Sequence, residues 1–311
     1  MLWILIRLYP IKNYYWVYDT EKTPYLAQYI NSLKAIFTKF DWGFCTTLGP
    51  LYMPVTEYLW TKMQFTLYIT GVAMVIALLV GTTLGTLFAF IKRKAISSAF
   101  YILFMALGSI PIFVWAYFLQ YVICFKLELL PLYFPPGYDF FSWHMFKNAI
   151  IPISCLAFAP TASYMYTLRA SLLESLSSDY VMLLRVKGLT TKQIILRHSF
   201  RNAIITIFPQ IYANIIVVST SSFIIERIFA IPGASYTFMR SFSALDRNPN
   251  SEWLMPKIPG TNIIDLGVIP DYAVFMILAM FYVGIAIVSG ILFDIAYGLM
   301  DPRIRVGSKK N

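Results

Sequence analysis

The residues best suited to acid–base, nucleophilic or metal chemistry are few in this chain of 311 residues, and their spacing keeps them apart. His144 and His198 fall on opposite predicted sides of a membrane, so they cannot form one site. Cys45, Cys124 and Cys155 show no C-x-x-C spacing, and two of them lie in apolar runs, which reads as packing rather than as a disulfide or metal centre. An intramembrane hydrolase needs a paired nucleophile and base, and the sequence offers no such pair. It also has no G-x-x-x-x-G-K-[ST] loop, so no ATP site of its own is expected. No cofactor is implied.

What the chain does offer is the chemistry of contact. Its apolar runs carry a few polar side chains: Gln120, Gln210, Asn214 and the run Ser219-Thr220-Ser221-Ser222. Such groups either cement helix to helix or line a pathway, and Gln210, Asn214 and Ser221 are the candidates for lining. A second feature is the stretch from Arg169 to Asn202, with six bases against two acids, too long for an idle connection in a compact bundle. Ser177, Ser178 and Asp179 supply N-cap or first-turn chemistry for a helix running to Lys187, where Gly188 provides a permissive C′ backbone. Thr190-Thr191-Lys192-Gln193 fits a capping box that opens a second helix towards His198. Tyr180, Leu183, Leu184 and Lys187 fall at i, i+3, i+4 and i+7. They form an aromatic and apolar stripe, ending in a base, that suits a groove on a partner protein. The bland alternative is a helix lying flat with its bases on lipid phosphate.

The elements that must hold these groups are apolar. Hydrophobic residues make up 59% of the chain and charged ones 13%, well under the soluble average of about 25%. Mean hydropathy is +0.66. Five stretches lack Asp, Glu, Lys and Arg for about the 20 residues that a helix needs to cross a bilayer core. They are Phe65 to Ile91, Ser97 to Phe125, Ala149 to Leu168, Ala203 to Ile225 and Tyr272 to Phe293. Ion-coupled carriers keep ionisable groups inside the membrane, and these stretches have none. Pro111, Pro152, Pro160 and Pro209 should bend or break their helices. Gly81-Thr82-Thr83-Leu84-Gly85 is a small-xxx-small pattern for close helix approach.

The net charge of +10 reads as topology rather than as affinity for nucleic acid, because the bases cluster between spans. Residues 92–96, 169–202 and 294–311 are basic and are expected in the cytoplasm; 126–148 and 226–271 are neutral or slightly acidic and are expected outside. Residues 1–64 then form an N-terminal extracytoplasmic or interfacial segment. Met1 to Ile11 is too short to span, so either a first helix is missing or this run is an interfacial anchor. The expected fold is an all-α polytopic membrane bundle of about five evident spans, with a helix–turn–helix projecting into the cytoplasm.

At the helix–turn–helix the sequence becomes recognisable. Asp179-Tyr180-Val181, Arg185, Lys187-Gly188-Leu189, Arg197-His198 and Arg201-Asn202-Ala203 resemble the signature loop of type I ABC importer permeases, specifically the oligopeptide and dipeptide permease family. Glu226-Arg227-Ile228-Phe229-Ala230-Ile231-Pro232-Gly233 is similar to its E-x-x-F-x-x-P-G segment, and Asp294, Tyr297 and Asp301-Pro302-Arg303-Ile304-Arg305 to its D-x-x-Y-x-x-x-D-P-R-I-R tail. Val55-Thr56-Glu57 leading into Thr66-Leu67, and Ser109-Ile110-Pro111-Ile112-Phe113, also match in order. The chain departs from the pattern where the family usually has alanines at Leu184 and Val186, proline at Thr206 and glycine at Ser235, and in an outer insertion around 246–262.

The resemblance implies a B-type membrane subunit whose 65–305 region is the transporter domain and whose 306–311 tail is cytoplasmic. It implies as partners two cytoplasmic ABC ATPase subunits, a second homologous permease subunit, an extracellular substrate-binding lipoprotein and a peptide substrate. Asp179, Tyr180, Leu183, Leu184, Arg185, Lys187, Gly188 and His198 would then form the ATPase-coupling loop. Oligopeptides are the expected cargo, with dipeptides or nickel complexes as alternatives within the family. A non-transporting membrane scaffold or receptor is the alternative outside it.

Overall fold

The computed structural model describes residues 25–43, 45, 53–91, 94–134, 142–241 and 272–300. Met1 to Ile11, Lys92, Arg93, the 246–262 insertion and Asp301 to Arg305 lie outside the described residues. Among the described residues the regular structure is helical: α1 (Tyr25–Lys39), α2 (Val55–Phe90), α3 (Lys94–Gly108), α4 (Ile112–Leu119), α5 (Trp143–Leu176), α6 (Asp179–Val186), α7 (Thr191–Ile228), α8 (Ala234–Ser241) and α9 (Tyr272–Met300). Four helices, α2, α5, α7 and α9, are long and apolar enough to cross a membrane. A fifth stretch is a bent pair: Ser97–Gly108 and Ile112–Lys126 together are long and apolar enough to cross, and they meet at 90°. The five apolar stretches read from sequence thus correspond to four continuous helices and one bent pair.

The chain divides into two compact units. The larger comprises 65–231 and 282–311, and α5 is its axis. Of the most apolar window of α5, 61% is buried against other helices, compared with 22% for α2, α7 and α9. Lipid is as apolar as leucine, so helices in a bilayer associate through close packing and polar contacts rather than through the hydrophobic effect. The α2–α5 seam shows how. A Cβ placed on Gly81 would lie 2.8 Å from the Thr161 carbonyl oxygen and from Tyr164 Cβ, and one on Gly85 would lie 2.8 Å from the Met165 carbonyl oxygen. The small-xxx-small pattern of α2 is therefore filled by the backbone of α5. Tyr164, Met165, Leu168 and Leu172 are fully buried along the helix.

The smaller unit comprises 1–64 and 232–281. Its core gathers Cys45, Val55, Tyr58, Ala234, Val274, Ile277 and Leu278, with Phe238 stacked on Phe275 at 5.1 Å.

Prolines act unequally in this fold. Pro111 stands at the 90° break, but Pro152 and Pro160 sit inside the continuous α5, where the sequence led us to expect a bend or break. Pro209 falls in the first turn of the helical stretch Phe208–Ile228, just after a 3-10 turn at Ile204–Ile207, where a missing N–H costs little.

Candidate functional site

The helix–turn–helix follows directly from α5. Ser178 is the N-cap of α6, although its hydroxyl donates back to the Ser175 carbonyl at 2.5 Å rather than capping α6. The far end of α6 closes with a Schellman pattern: Leu189 N–H donates to the Leu184 carbonyl at 3.2 Å, and Gly188 N–H to that of Arg185 at 2.9 Å. Gly188 takes φ +80°, a left-handed conformation that a side chain resists. Two residues on, the Thr190 hydroxyl accepts from Gln193 N–H at 3.3 Å, while Gln193 Oε1 accepts from Thr190 N–H at 2.9 Å. This capping box opens α7. Its next turn, Ile194–Ser199, is π-helical and rotates the face that follows it, burying Ile194, Ile195 and Ser199.

The stripe read from the sequence is divided by this arrangement. Tyr180 turns inward: its hydroxyl shares hydrogen bonds with Ser175 Oγ and, at 3.3 Å, with Ser199 Oγ, tying the end of α5 to the π turn of α7. Burial raises the Tyr180 phenol pKa, but hydrogen bonds with Ser175, Ser199, Asn202 and Ser178 outweigh it, leaving the value below that of an ordinary tyrosine. Val181 is buried and Leu184 half-buried beside it. The apolar surface that α6 presents consists instead of Met182, Leu183 and Val186, exposed by 72%, 66% and 82%. Also exposed on the hairpin are Asp179, Arg185, Lys187, Gly188, Arg197, His198 and Arg201. Of the eight residues assigned to the loop, Tyr180 and Leu184 therefore support the hairpin from within and the other six lie on its surface. Spacing alone could not separate the two faces, because Tyr180 is drawn inward by hydroxyls supplied from two other helices.

The three candidate lining residues share one face of α7, at spacings of four and seven. Gln210 Oε1 accepts from Ser163 Oγ at 3.0 Å, joining α7 to α5. Asn214 is 8% exposed and lies against the buried Tyr164 of α5. Ser221 lines a cavity of about 280 Å³ between the break of the second span, α5 and α7. Trp115 spans the break, donating from Nε1 to the Leu107 carbonyl at 3.1 Å, and its ring lies 5.1 Å from that of Phe158.

Sequence reading also missed Glu226, which it placed at the start of an outer segment. The helix runs on to Ile228, and Glu226 is fully buried, accepting from Thr66 Oγ1 at 2.7 Å across 160 positions of sequence. Its backbone carbonyl accepts from Ile231 N–H at 2.9 Å, closing α7 with Ala230 at φ 52°. The only sequence signal was the motif that contains it.

Known proteins share this architecture. The family model described as binding-protein-dependent transport system inner membrane component matches residues 81–306. The dipeptide transport system permease protein DppB of Bacillus subtilis (strain 168) is 30% identical over 286 residues, covering 92% of this chain and 81% of that protein. The oligopeptide transport system permease protein AppB of the same organism is 27% identical over 288 residues, covering 89% and 80%. Among solved structures, the inward-facing MetNI methionine ABC transporter superposes with a TM-score of 0.54 at 12% identity, covering 79% of this chain and 97% of that one. An amino acid ABC transporter crystallised with histidines gives 0.52 at 16% identity, covering 78% and 94%. The likeness to these structures is one of fold, and it agrees with the helices described above. With the family model spanning most of the chain, the chain belongs to the binding-protein-dependent transport system inner membrane components, the multi-pass permease subunits of ABC importers.

Proposed function

We propose that this chain is one of two permease subunits that import peptides by alternating access, powered by two cytoplasmic ATPases and supplied by an extracellular substrate-binding lipoprotein. The observation that carries the reading is the hairpin of α6 and the start of α7. It presents Met182, Leu183 and Val186 on one face, with the exposed bases Arg185 and Lys187 on the same helix end, and it is anchored to α5 through Tyr180. Exposed apolar residues on a rigid, capped projection suit a groove on a partner. A hairpin tied by hydroxyls to the axial helix can pass the partner's movement to the spans. The relatives' names, dipeptide and oligopeptide permease, support a peptide cargo, and oligopeptides remain our first choice.

In this reading residues 169–202 face the cytoplasm, 126–148 and 226–271 face outward, and 65–305 is the transporter domain, preceded by the 1–64 segment and followed by the 306–311 tail. Asp179, Arg185, Lys187 and His198 flank the docking face, and Gly188 sets the angle between the two hairpin helices.

The test is reconstitution with the partner subunits in proteoliposomes. ATP turnover should rise when binding protein and peptide are added together. Val186→Asp places a charge that docking would desolvate, at a cost of several kcal/mol, although water tolerates it. The variant should insert normally and lose its ATPases on purification. If it retains them and imports at the wild-type rate, the docking face is elsewhere.

A further inference from the structure

We propose that the cavity beside the broken second span receives an apolar side chain of the transported peptide, an assignment that rests on the peptide-import reading above. The cavity measures about 280 Å³ and lies wholly within the larger unit. One wall is the backbone from Gly108 to Pro111, where the helix is interrupted. Irregular backbone at membrane depth is tolerated where protein or a water-filled cavity covers it, and not against acyl chains. Carriers commonly place substrate at such discontinuous helices.

The size and chemistry of the lining then limit the occupant. A helix from a neighbouring subunit, about 10 Å across with its side chains, is too wide for this recess. A single large side chain fits. The rings of Trp115 and Phe158, tilted at 47° to one another, supply an apolar wall, and Cys155 sits beside them. None of the lining residues is charged, so the cavity cannot pair with a peptide's terminal amine or carboxylate. Among the lining side chains the hydroxyls are those of Ser221 and of Ser109, which already donates to the Met105 carbonyl at 2.8 Å. From Ser221 the same face of α7 continues through Asn214 to Gln210, which is held by Ser163 of α5. The cavity thereby selects for an apolar side chain of the peptide rather than for its termini.

The test compares trileucine and trialanine import by the complete reconstituted transporter, carrying either the native chain or Ala159→Phe. Ala159 lines the cavity and is itself exposed, so a phenyl ring there fills the recess. The expected result is a fall of about tenfold or more in the ratio of trileucine to trialanine import, the scale on which apolar pockets discriminate. An unchanged ratio overturns the cavity assignment while leaving peptide import standing. If the native complex imports neither peptide, the import reading fails and takes the cavity with it.

Discussion

The second span and α5 both carry proline within their apolar runs, yet one is bent by 90° and the other runs unbroken for 34 residues. The local chemistry differs in degree. At the break, Gly108, Ser109 and Ile110 precede Pro111; glycine weakens the helix, and the residue before a proline is pushed out of the helical region. In α5 the residues before the prolines are Ile151 and Ala159, with no glycine beside them, whereas hydroxyls return hydrogen bonds to carbonyls one turn back in both places: Ser154 and Thr161 at 2.6 and 2.7 Å in α5, and Ser109 at 2.8 Å at the break. The surroundings differ more. Pro152 and Pro160 are both buried, in a helix gripped by α2 on its glycine face and by α7 through Ser163 and Gln210. The second span leaves Phe100, Ile102, Leu103, Phe113, Tyr117 and Phe118 exposed, so one side of it is unsupported within this chain. A helix breaker thus acts where packing is thin and is overruled where packing is dense.

The largest expected effect comes from loosening that grip. Gly85→Leu drives a side chain into the Met165 carbonyl, and overpacking of this kind costs about 1–3 kcal/mol or more. The yield of assembled complex on size exclusion should fall severely. Near-normal yield would mean that the seam does not hold α5.

Next comes the break itself. Pro111→Ala restores an N–H and removes a ring clash together worth about 3 kcal/mol in a helix interior. Spin labels at Phe100 and Phe118 should then move apart towards the roughly 27 Å of a straight helix of that length. Import should fall while the complex still assembles. A distance distribution unchanged from that of the native chain would assign the bend to tertiary contacts, reversing the argument for this span.

A smaller effect is expected at the hairpin turn, the least packed interruption of all. A Cβ on Gly188 would meet nothing within 4 Å, so only its left-handed backbone resists substitution. Gly188→Val should cost about 1–2 kcal/mol and uncouple ATP turnover from import, with expression near normal. Gly188→Asn should be milder, since asparagine tolerates this region. Equal transport by the two variants would remove the strained turn from the coupling mechanism.

The smallest effect belongs to Pro152. Pro152→Ala regains a backbone donor inside a helix already held straight, so thermal stability should shift by no more than about 1 kcal/mol. Stabilisation approaching 3 kcal/mol would show that α5 is strained at its prolines and that packing only masks the strain.

What could be read from sequence was local or compositional. The membrane class follows from apolar runs matched to the roughly 30 Å bilayer core. The caps at Gly188 and at Thr190 with Gln193 follow from chemistry that acts within four residues, and the close-packing role of Gly81 and Gly85 follows from the absence of a side chain. The family motifs were legible because they are ordered along the chain. Tertiary structure decided the rest: which proline breaks its helix, which side of α6 faces outward, and where Glu226 goes. Tyr180 is turned by hydroxyls on α5 and α7, and Glu226 is buried against a threonine 160 positions away. The cavity at Ser221 exists only because a break in one helix stands beside two others. Each of these depends on groups brought together by the packing of distant segments, and neither periodicity nor propensity along a single helix carries that information.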